Sequence, residues 1–388
     1  MTTALRAVRA GLLLLALAGL LAVLGCGGAG GAPTRLIFLP RRDGEYEIRI
    51  PNTGNSRPYP LTQSLRWDSA PVWSPDGTRL AFYSDRNFNI RDRDDNVDIY
   101  VMLLGGSGPV RLTDDPRPDA FPIWSPDGAR IAFYSERDGD GEVYTMNADG
   151  SDVRRLTHER GIDIPYSWSP DGTRIAFGSA RGGDLDLFVM DGDGGNVKRL
   201  TRGPGHDFSA SWSPDGTRIA FESNRDGNGE IYVMDADGSR QVNLSVRPLD
   251  DVYPAWSPDG VRLAFVSDRD ASADVYVVDT QFSFLTRVTS APRADIWPSW
   301  SPDGTRLAFI SNRDFNTEVY VANADGTGQV RITRDEGFTS WPAWSPDGSR
   351  LAFSYGHDGR RDVYTVNADG TGLVRQTNDT GQSEALQP

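Results

Sequence analysis

The chain has 388 residues, a formal net charge of −14, and 38% hydrophobic and 24% charged residues, which is an ordinary soluble composition. This acidic balance argues against nucleic acid as a partner, because phosphate binding needs a basic footprint. With a single cysteine, Cys26, the chain cannot form an intramolecular disulfide.

The N-terminus has the pattern of an export signal. Two arginines precede an apolar stretch at residues 11–24, which is too short for a transmembrane helix. The stretch runs into Gly25-Cys26, which resembles a bacterial lipobox whose cysteine is lipidated. We predict a lipoprotein signal peptide at residues 1–25, followed by lipidated Cys26 and a Gly/Ala tether at residues 26–33. A plain secretory signal with an incidental cysteine is the alternative.

From residue 34 onward the chain is dominated by one repeat. The motif Trp-Ser-Pro-Asp-Gly-x-Arg-(Leu/Ile)-Ala-Phe occurs seven times, and its period is 44 residues after a first interval of 51. A fixed period in this range is typical of stacked or ring-closed repeat architectures. The repeat tryptophans are Trp73, Trp124, Trp168, Trp212, Trp256, Trp300 and Trp344.

Each unit reads as four short strands separated by turns. The segment Ser213-Pro214-Asp215-Gly216 matches a β-turn, because proline presets φ at the second position and glycine suits the fourth. The strands that follow are apolar, β-branched and aromatic. Four antiparallel strands per period predict the blade of a β-propeller, with the tryptophans packed between blades.

The number of blades follows from the length of the repeat region. Residues 34–62 resemble the second to fourth strands of a unit, and residues 383–388 resemble the approach to a further Trp strand. Residues 34–388 correspond to about eight periods. We predict an all-β, eight-bladed propeller of four-stranded antiparallel blades over residues 34–388, closed by pairing of its N- and C-terminal strands. Seven blades is the alternative.

An aspartate stands five residues before the repeat tryptophan in six units, and Thr339 replaces it in the seventh. The first strand of a propeller blade is usually innermost, so six carboxylates would make one channel mouth electronegative. Oxygen-rich rings suit Ca²⁺ or Mg²⁺, whereas each aspartate alone could cap a turn locally. The predicted acidic ring comprises Asp68, Asp119, Asp163, Asp207, Asp251 and Asp295.

Aromatic residues near these aspartates vary between units, unlike the repeat tryptophans. Three of them lie in consecutive units and could form one patch on a sector of the rim. Exposed aromatics beside acids suit recognition of a peptide or sugar, and filling between blades is the alternative. The predicted rim aromatics are Phe121, Phe208, Tyr253, Trp297 and Trp341.

The other polar residues indicate structure rather than chemistry. Arginines and acids that recur in every unit are interpreted as salt bridges within the blade. The insertion at residues 91–98 has acids spaced loosely like a calcium loop, but it lacks the glycine and final glutamate of an EF-hand. The sequence has no G-x-S-x-G elbow and no histidines at metal-ligand spacing, so it predicts no catalytic residue.

The motif, as in Trp256-Ser257-Pro258-Asp259-Gly260, resembles the repeats of the TolB-type β-propellers. The resemblance covers nearly all of residues 34–388 and implies the fold more specifically than the function. TolB has an additional N-terminal α/β domain, and related propellers of the prolyl-oligopeptidase type carry a hydrolase domain. We find neither pattern in this sequence, so we expect neither the Tol role nor peptide hydrolysis.

The expected function is that of a lipid-anchored, extracytoplasmic propeller that acts as a protein- or peptide-binding scaffold in the bacterial cell envelope. We expect a monomer that contacts the membrane through its lipid only and does not bind nucleic acid. A Ca²⁺ or Mg²⁺ ion is the only cofactor considered. The alternative is a polysaccharide-active enzyme similar to propeller-type lyases, using a metal at the channel mouth. A purely structural envelope component is a third reading.

Overall fold

The computed structural model describes only part of the chain in detail. The predicted signal peptide, Cys26 and the tether lie outside the described residues, as does most of the insertion at residues 91–98. No helix in the described part of the chain is long and apolar enough to cross a bilayer. The described ranges are 37–40, 46–50 and 59–60 (backbone only), then 68–85, 96–104, 108–246, 249–270, 272–281, 284–334, 337–357 and 360–377.

All regular elements in these ranges are β-strands, and all sheets are antiparallel. The first three strands form a sheet of their own in the order β1-β2-β3: β1 (Ile37–Pro40), β2 (Tyr46–Ile50) and β3 (Tyr59–Pro60). These strands overlap the segments predicted as strands at residues 34–38, 47–50 and 60–62.

The remaining described strands build seven four-stranded sheets, blades 1 to 7, each made from one continuous stretch of chain. The first strands, in blade order, are β4 (Asp68–Trp73), β8 (Asp119–Trp124), β12 (Asp163–Trp168), β16 (Asp207–Trp212), β20 (Asp251–Trp256), β24 (Asp295–Trp300) and β28 (Phe338–Trp344). The second strands are β5 (Arg79–Ser84), β9 (Arg130–Ser135), β13 (Arg174–Ser179), β17 (Arg218–Ser223), β21 (Arg262–Ser267), β25 (Arg306–Ser311) and β29 (Arg350–His357).

The outer half of each blade consists of a long third strand and a short fourth strand. The third strands are β6 (Asp98–Leu103), β10 (Glu142–Asn147), β14 (Asp186–Asp191), β18 (Glu230–Asp235), β22 (Asp274–Asp279), β26 (Glu318–Asn323) and β30 (Arg360–Asn367). The fourth strands are β7 (Val110–Arg111), β11 (Arg154–Arg155), β15 (Lys198–Arg199), β19 (Val242–Asn243), β23 (Leu285–Arg287), β27 (Val330–Arg331) and β31 (Val374–Arg375).

The first strands of successive blades contact one another around the ring, including β28 of blade 7 with β4 of blade 1. The first strands therefore form the inner wall. Apolar side chains from neighbouring blades share one core at each seam, for example Ala220 and Ile231 of blade 4 with Leu263 and Phe265 of blade 5. Because each sheet is covered on both faces, its middle strands are apolar without alternation.

The repeat motif joins each blade to the next. In blade 5 the indole N–H of Trp256 donates to the Ser211 carbonyl of blade 4 over 3.0 Å. The Arg218 guanidinium of blade 4 lies 4.9 Å from the centre of the Trp256 ring and donates to the Gly260 carbonyl over 2.8 Å. Gly260 adopts a left-handed φ of +70°, which glycine takes at little cost. The tryptophan and arginine of the motif therefore hold neighbouring blades together at the seam between them.

The prediction of eight blades is wrong, and the alternative of seven describes the ring. Blade 7 meets blade 1 directly: the Trp73 indole donates to the Ala343 carbonyl over 3.1 Å, and Arg350 lies 5.7 Å from the Trp73 ring centre. The eighth unit was counted from residues 34–62, whose three strands form a separate sheet with no Trp strand.

The predicted closure used residues 383–388 as the closing strand, and these residues lie outside the described part of the chain. Blade 1 draws all four strands from residues 68–111 and blade 7 from residues 338–375, so no strand is shared between the two ends of the ring. Side-to-side packing holds the seam instead, through a core that includes Trp73, Phe82 and Val363.

Candidate functional site: the inner wall of the ring

The six predicted aspartates each begin the first strand of a blade, and all are buried. In five blades an arginine two residues beyond the second strand bridges to the carboxylate, with nitrogen–oxygen distances of 2.9–3.0 Å. Asp68 accepts a hydrogen bond from the Ser84 hydroxyl. The ion pairs are Arg137–Asp119, Arg181–Asp163, Arg225–Asp207, Arg269–Asp251 and Arg313–Asp295.

These ion pairs are buried within the blade, and their carboxylates are not exposed to solvent. Burial raises the pKa of Asp119, Asp163, Asp251 and Asp295, while hydrogen bonds from serine and the arginine charge lower it. Each arginine also lies over aromatic rings of its own blade, such as Arg313 at 4.5 Å from the Tyr320 ring centre. Every one of these five carboxylates thus has a cation from its own blade.

A second buried network repeats at the outer strands. In blade 6 the Glu318 carboxylate accepts hydrogen bonds from the Arg331 guanidinium, over 2.6 Å, and from the Thr333 hydroxyl. The Thr333 hydroxyl oxygen in turn accepts a hydrogen bond from the Val319 N–H over 2.9 Å. Equivalent arginine–acid contacts occur at Asp98, Glu142, Asp186, Asp274 and Asp362. The interpretation of the recurring charges as salt bridges within the blade is confirmed for these two sets. It is wrong for most of the arginines of the repeat motif, which lie over the tryptophan of the neighbouring blade.

The inner wall contains a feature that sequence reasoning missed. In six blades the first strand has a β-bulge, and the residue at the bulge has a left-handed φ between +49° and +59° although it is not glycine. Such a backbone conformation is unusual for bulky side chains and re-aims them relative to a regular strand. The six bulge residues are Ala70, Phe121, Ser209, Tyr253, Trp297 and Trp341.

Four of the five predicted rim aromatics occupy these bulges, and three of them are in contact. The Tyr253 and Trp297 ring centres are 6.3 Å apart, and the Trp297 and Trp341 ring centres are 5.4 Å apart. These half-buried rings belong to blades 5, 6 and 7, and we name them the aromatic arc. The rings are close enough to act as one surface.

The other two predicted aromatics lie apart from the arc. Phe121 contacts Tyr83 of blade 1 and Tyr134 of its own blade, with ring centres 5.6 and 6.3 Å away. Phe208 is one residue before its bulge and lies 5.8 Å from His206. The predicted set therefore divides into an arc of three and two separate rings.

A half-buried acid lies at one end of the arc. The Glu222 carboxylate of blade 4 accepts from the Tyr253 N–H over 3.4 Å, and burial raises the pKa of Glu222 to about 7. At the other end, Arg361 of blade 7 lies 5.0 Å from the Phe338 ring centre, and burial lowers the pKa of Arg361 to about 10. Neither residue recurs between units, so the repeat did not reveal them.

A metal site was considered at the six aspartates, and the described residues show no set of side chains arranged as metal ligands. No group of three or more His, Cys, Asp or Glu side chains among these residues is arranged to hold a metal ion. The His206 Nδ1 accepts from the Leu185 N–H over 2.9 Å, which is a structural contact. A Ca²⁺ or Mg²⁺ ion at the acidic residues stays a prediction.

Comparisons with known proteins agree with this architecture. The TolB beta propeller domain (PD40) matches residues 158–253 and 247–338, and the N-terminal beta propeller domain of Tricorn protease matches residues 94–185. An uncharacterized peptidase of Bacillus subtilis, YuxL, is 40% identical over 86 residues, which is 22% of this chain and 11% of the peptidase.

Two solved structures share the fold at low sequence identity. TolB from Acinetobacter baumannii is 19% identical with a TM-score of 0.50, and the match covers 81% of this chain and 80% of that one. An oligogalacturonate lyase from Vibrio parahaemolyticus is 15% identical with a TM-score of 0.61, covering 90% and 98%. TolB and an oligogalacturonate lyase thus share this architecture, and the repeats of this chain are TolB-like, of the PD40 type.

Proposed function

We propose that this protein is a lipid-anchored propeller of the bacterial cell envelope that binds a peptide segment of a partner protein on the aromatic arc. The observation that carries the proposal is the contact between the Tyr253, Trp297 and Trp341 rings in three consecutive blades. Residues shared by all blades serve the ring, as the Trp–Arg seams illustrate. Residues that differ between blades are free to serve recognition.

The arc has the properties of a binding surface. Its rings are half-buried, so each presents one side while the remainder is held in place. Trp297 packs on a core that includes Val266, Ile296 and Ile310, which fixes its orientation. Rigid aromatic anchors lose little side-chain entropy on binding and dominate the energy of many interfaces. An extended segment lying across blades 5 to 7 would contact all three rings.

Backbone strain supports the same assignment. A left-handed conformation costs a non-glycine residue about 1–2 kcal/mol, and such strain is concentrated at functional sites. Tyr253, Trp297 and Trp341 all adopt it, with φ values of +59°, +55° and +52°. A large ring kept at a position that favours glycine is consistent with a role for the ring itself.

The arc can be tested with a random 12-residue peptide library selected on the intact protein. Trp341→Gly removes a ring of the arc while glycine accepts the left-handed φ, so the bulge is retained. We expect selected peptides to lose at least tenfold in affinity for this variant, because buried aromatic anchors contribute about 2 kcal/mol or more.

Phe121→Gly is the matched control, since Phe121 occupies the same bulge in blade 2 with φ of +54° but lies outside the arc. Its affinity should stay within about twofold of the wild type. Equal loss in both variants, or no loss in Trp341→Gly, would contradict the arc. Cleavage of oligogalacturonate by the purified protein with Mn²⁺ or Ca²⁺ would overturn a purely binding role.

The membrane part of the proposal rests on the signal pattern that ends at Cys26. Cells fed an alkyne-labelled fatty acid should label the wild-type protein and not Cys26→Ser. The variant should also move from the membrane fraction to the soluble fraction. Label on both proteins, or membrane retention of the variant, would argue against lipidation at this cysteine.

A further inference from the structure

The seam between blades 7 and 1, which we name the closing seam, has a small residue at the inner wall. In blades 2, 5, 6 and 7 the bulge residue is aromatic, and the rings of Phe121, Trp297 and Trp341 contact an aromatic ring of the preceding blade. Blade 4 has Ser209 at this position. In blade 1 the bulge residue is Ala70, with φ of +49°. The closing seam therefore lacks the ring that occupies the equivalent place in four other blades.

The facing surface of blade 7 is also polar at a place where blade 6 is apolar. Ser340 and Ser354 are register partners on adjacent strands, and both are at most 1% exposed. Neither hydroxyl has a hydrogen-bond partner in the described part of the chain. In blade 6 the equivalent register pair is Ile296 and Ile310, which belongs to an apolar core. Two buried hydroxyls without partners cost free energy unless something else occupies their hydrogen bonds.

These serines face blade 1 rather than blade 6. On β29, Ser354 has the same side-chain alternation as Ala352, which packs in the core shared with Trp73 of blade 1. The register partner of Ser354 on β30 is Val363, another member of that core. The two hydroxyls therefore lie at the closing seam.

The Arg361 side chain lies on the same face of blade 7, next to the two serines along the strands. Arg361 precedes Val363 by two residues on β30 and is the register partner of Gly356. Because glycine has no side chain, Arg361 reaches across it to the Phe338 ring, at 5.0 Å. The second and third strands of blade 7 are longer than those of the other blades, and this extension carries Arg361.

We propose that the closing seam binds a carboxylate group, held by the Arg361 guanidinium and the Ser340 and Ser354 hydroxyls. A guanidinium pairs with a carboxylate in a planar, two-pronged geometry, and hydroxyls donate to its remaining lone pairs. On the opposite blade, Ala70 has only a methyl group at the position where blade 2 has the Phe121 ring. Ser340 directly precedes Trp341, so the carboxylate site adjoins the aromatic arc.

This inference rests on the proposed function and narrows it: the bound segment carries an acidic side chain or a free C-terminus next to an aromatic group. The probes are N-acetyltryptophan, which has an indole and a carboxylate, and N-acetyltryptophanamide, which has the indole alone. N-acetyltryptophanyl-aspartate diamide carries the carboxylate on a side chain. Binding is measured by calorimetry and by saturation-transfer NMR on the intact protein.

For the wild type we expect the acid to bind about tenfold tighter than the amide, because a charge-assisted pair adds to ring stacking. Arg361→Gln should reduce that ratio to about one. Ala70→Phe places in blade 1 the ring that blade 2 carries as Phe121, and it should fill the seam and abolish the preference for the acid, with thermal unfolding measured to confirm that the variant is folded. Ser340→Ala with Ser354→Ala should reduce the ratio several-fold.

The outcomes separate this inference from the proposed function. If acid and amide bind equally and both are lost in Trp341→Gly, the arc stands and the carboxylate site is overturned. If neither probe nor any library peptide binds, both proposals fail. A preference for the acid that persists in Arg361→Gln and in Ala70→Phe also overturns the carboxylate site. The diamide distinguishes the sources: tight binding indicates an acidic side chain, and weak binding indicates a free C-terminus.

Discussion

The residues of this ring fall into two groups: those that recur in the blades and stabilise them, and those that occur in one blade only. The aspartates at the start of each first strand are paired with arginines of their own blade, and blade 7 departs from the rule as a group: Thr339 replaces the aspartate and Tyr355 replaces the serine opposite it. A carboxylate at 0% exposure, such as Asp295, needs such a partner, because an unpaired buried charge costs several kcal/mol. In blade 7 the arginine position is also changed, to His357, so no carboxylate is left there without its arginine.

Glu222 gives a prediction at this scale. Its pKa is raised by burial from the ordinary 4.5 to about 7, so the folded state holds a proton that the unfolded state releases between these values. The stability of the wild type should fall as pH rises from 5 to 7.5. Glu222→Gln removes the titration and should be more stable than the wild type by roughly 2 kcal/mol at pH 7.5.

Urea unfolding at both pH values measures this difference. At pH 5 the two proteins should be close in stability, because glutamine resembles the protonated acid. The other carboxylates, including those of the aspartate pairs, contribute equally to the pH dependence of both proteins, so their effect cancels in the difference. A constant difference between the proteins across this pH range would mean that Glu222 does not titrate there.

At the scale of elements, the bulged first strand is the distinctive unit. A bulge inserts an extra residue against the second strand, and its left-handed residue directs a side chain that a regular strand would place elsewhere. Blade 3 shifts register between Pro165 and Ser167, and no described residue there has the left-handed φ of the other bulges. The same inner-wall position of the repeat thus carries residues as different as alanine, serine, phenylalanine, tyrosine and tryptophan.

Ala70→Gly tests the cost of that conformation directly. Alanine at φ of +49° is strained, whereas glycine adopts it freely, although glycine also gains entropy in the unfolded state. We expect a net stabilisation of up to about 1 kcal/mol. The control is Ala308→Gly in β25, where the strand is regular and the change should destabilise. Thermal unfolding that lowers Tm in both variants would contradict strain at Ala70.

Strand positions were predictable because the repeat samples the same blade seven times, and turn residues such as Pro214 and Gly216 mark its boundaries. The grouping of Tyr253, Trp297 and Trp341 was also predictable from their consecutive units. The left-handed bulge was not, because tryptophan and tyrosine give no local signal for it. Glu222 and Arg361 acquire their positions from register and neighbouring blades, which a repeat pattern does not contain.

At the scale of the whole molecule, the blade count depended on how the ring closes. Dividing the length of the repeat region by the repeat period counts every unit that resembles a blade. The number of blades in the ring depends instead on which two blades meet when it closes. The Trp73 contact with Arg350 reproduces that of the internal seams, with a wider arginine–ring distance of 5.7 Å against 4.4–4.9 Å elsewhere. Its hydrogen bond to Ala343 has equivalents at four of the six internal seams. Seven arginine–tryptophan seams therefore account for the blade count.

Trp73→Phe should weaken the closing seam specifically. It deletes the indole N–H that donates to Ala343, a loss of about 1 kcal/mol. Since blades 7 and 1 are not adjacent along the chain, we expect faster hydrogen exchange in β4, β5, β28 and β29. Trp256→Phe deletes the equivalent bond to Ser211 at an internal seam, and should cause less local opening. Equal exchange patterns would mean that chain connectivity does not matter at the seams.

Because every described blade is one uninterrupted piece of chain, the ring has no structurally privileged starting point. Cutting the chain in any loop between a fourth strand and the next first strand would leave all seven sheets complete. A circularly permuted chain, with the present ends joined, would need only to re-form one lateral contact. In a propeller closed by a shared strand, the same rearrangement would split a sheet between two distant segments. Each described blade can therefore form its sheet without a strand from a distant part of the chain.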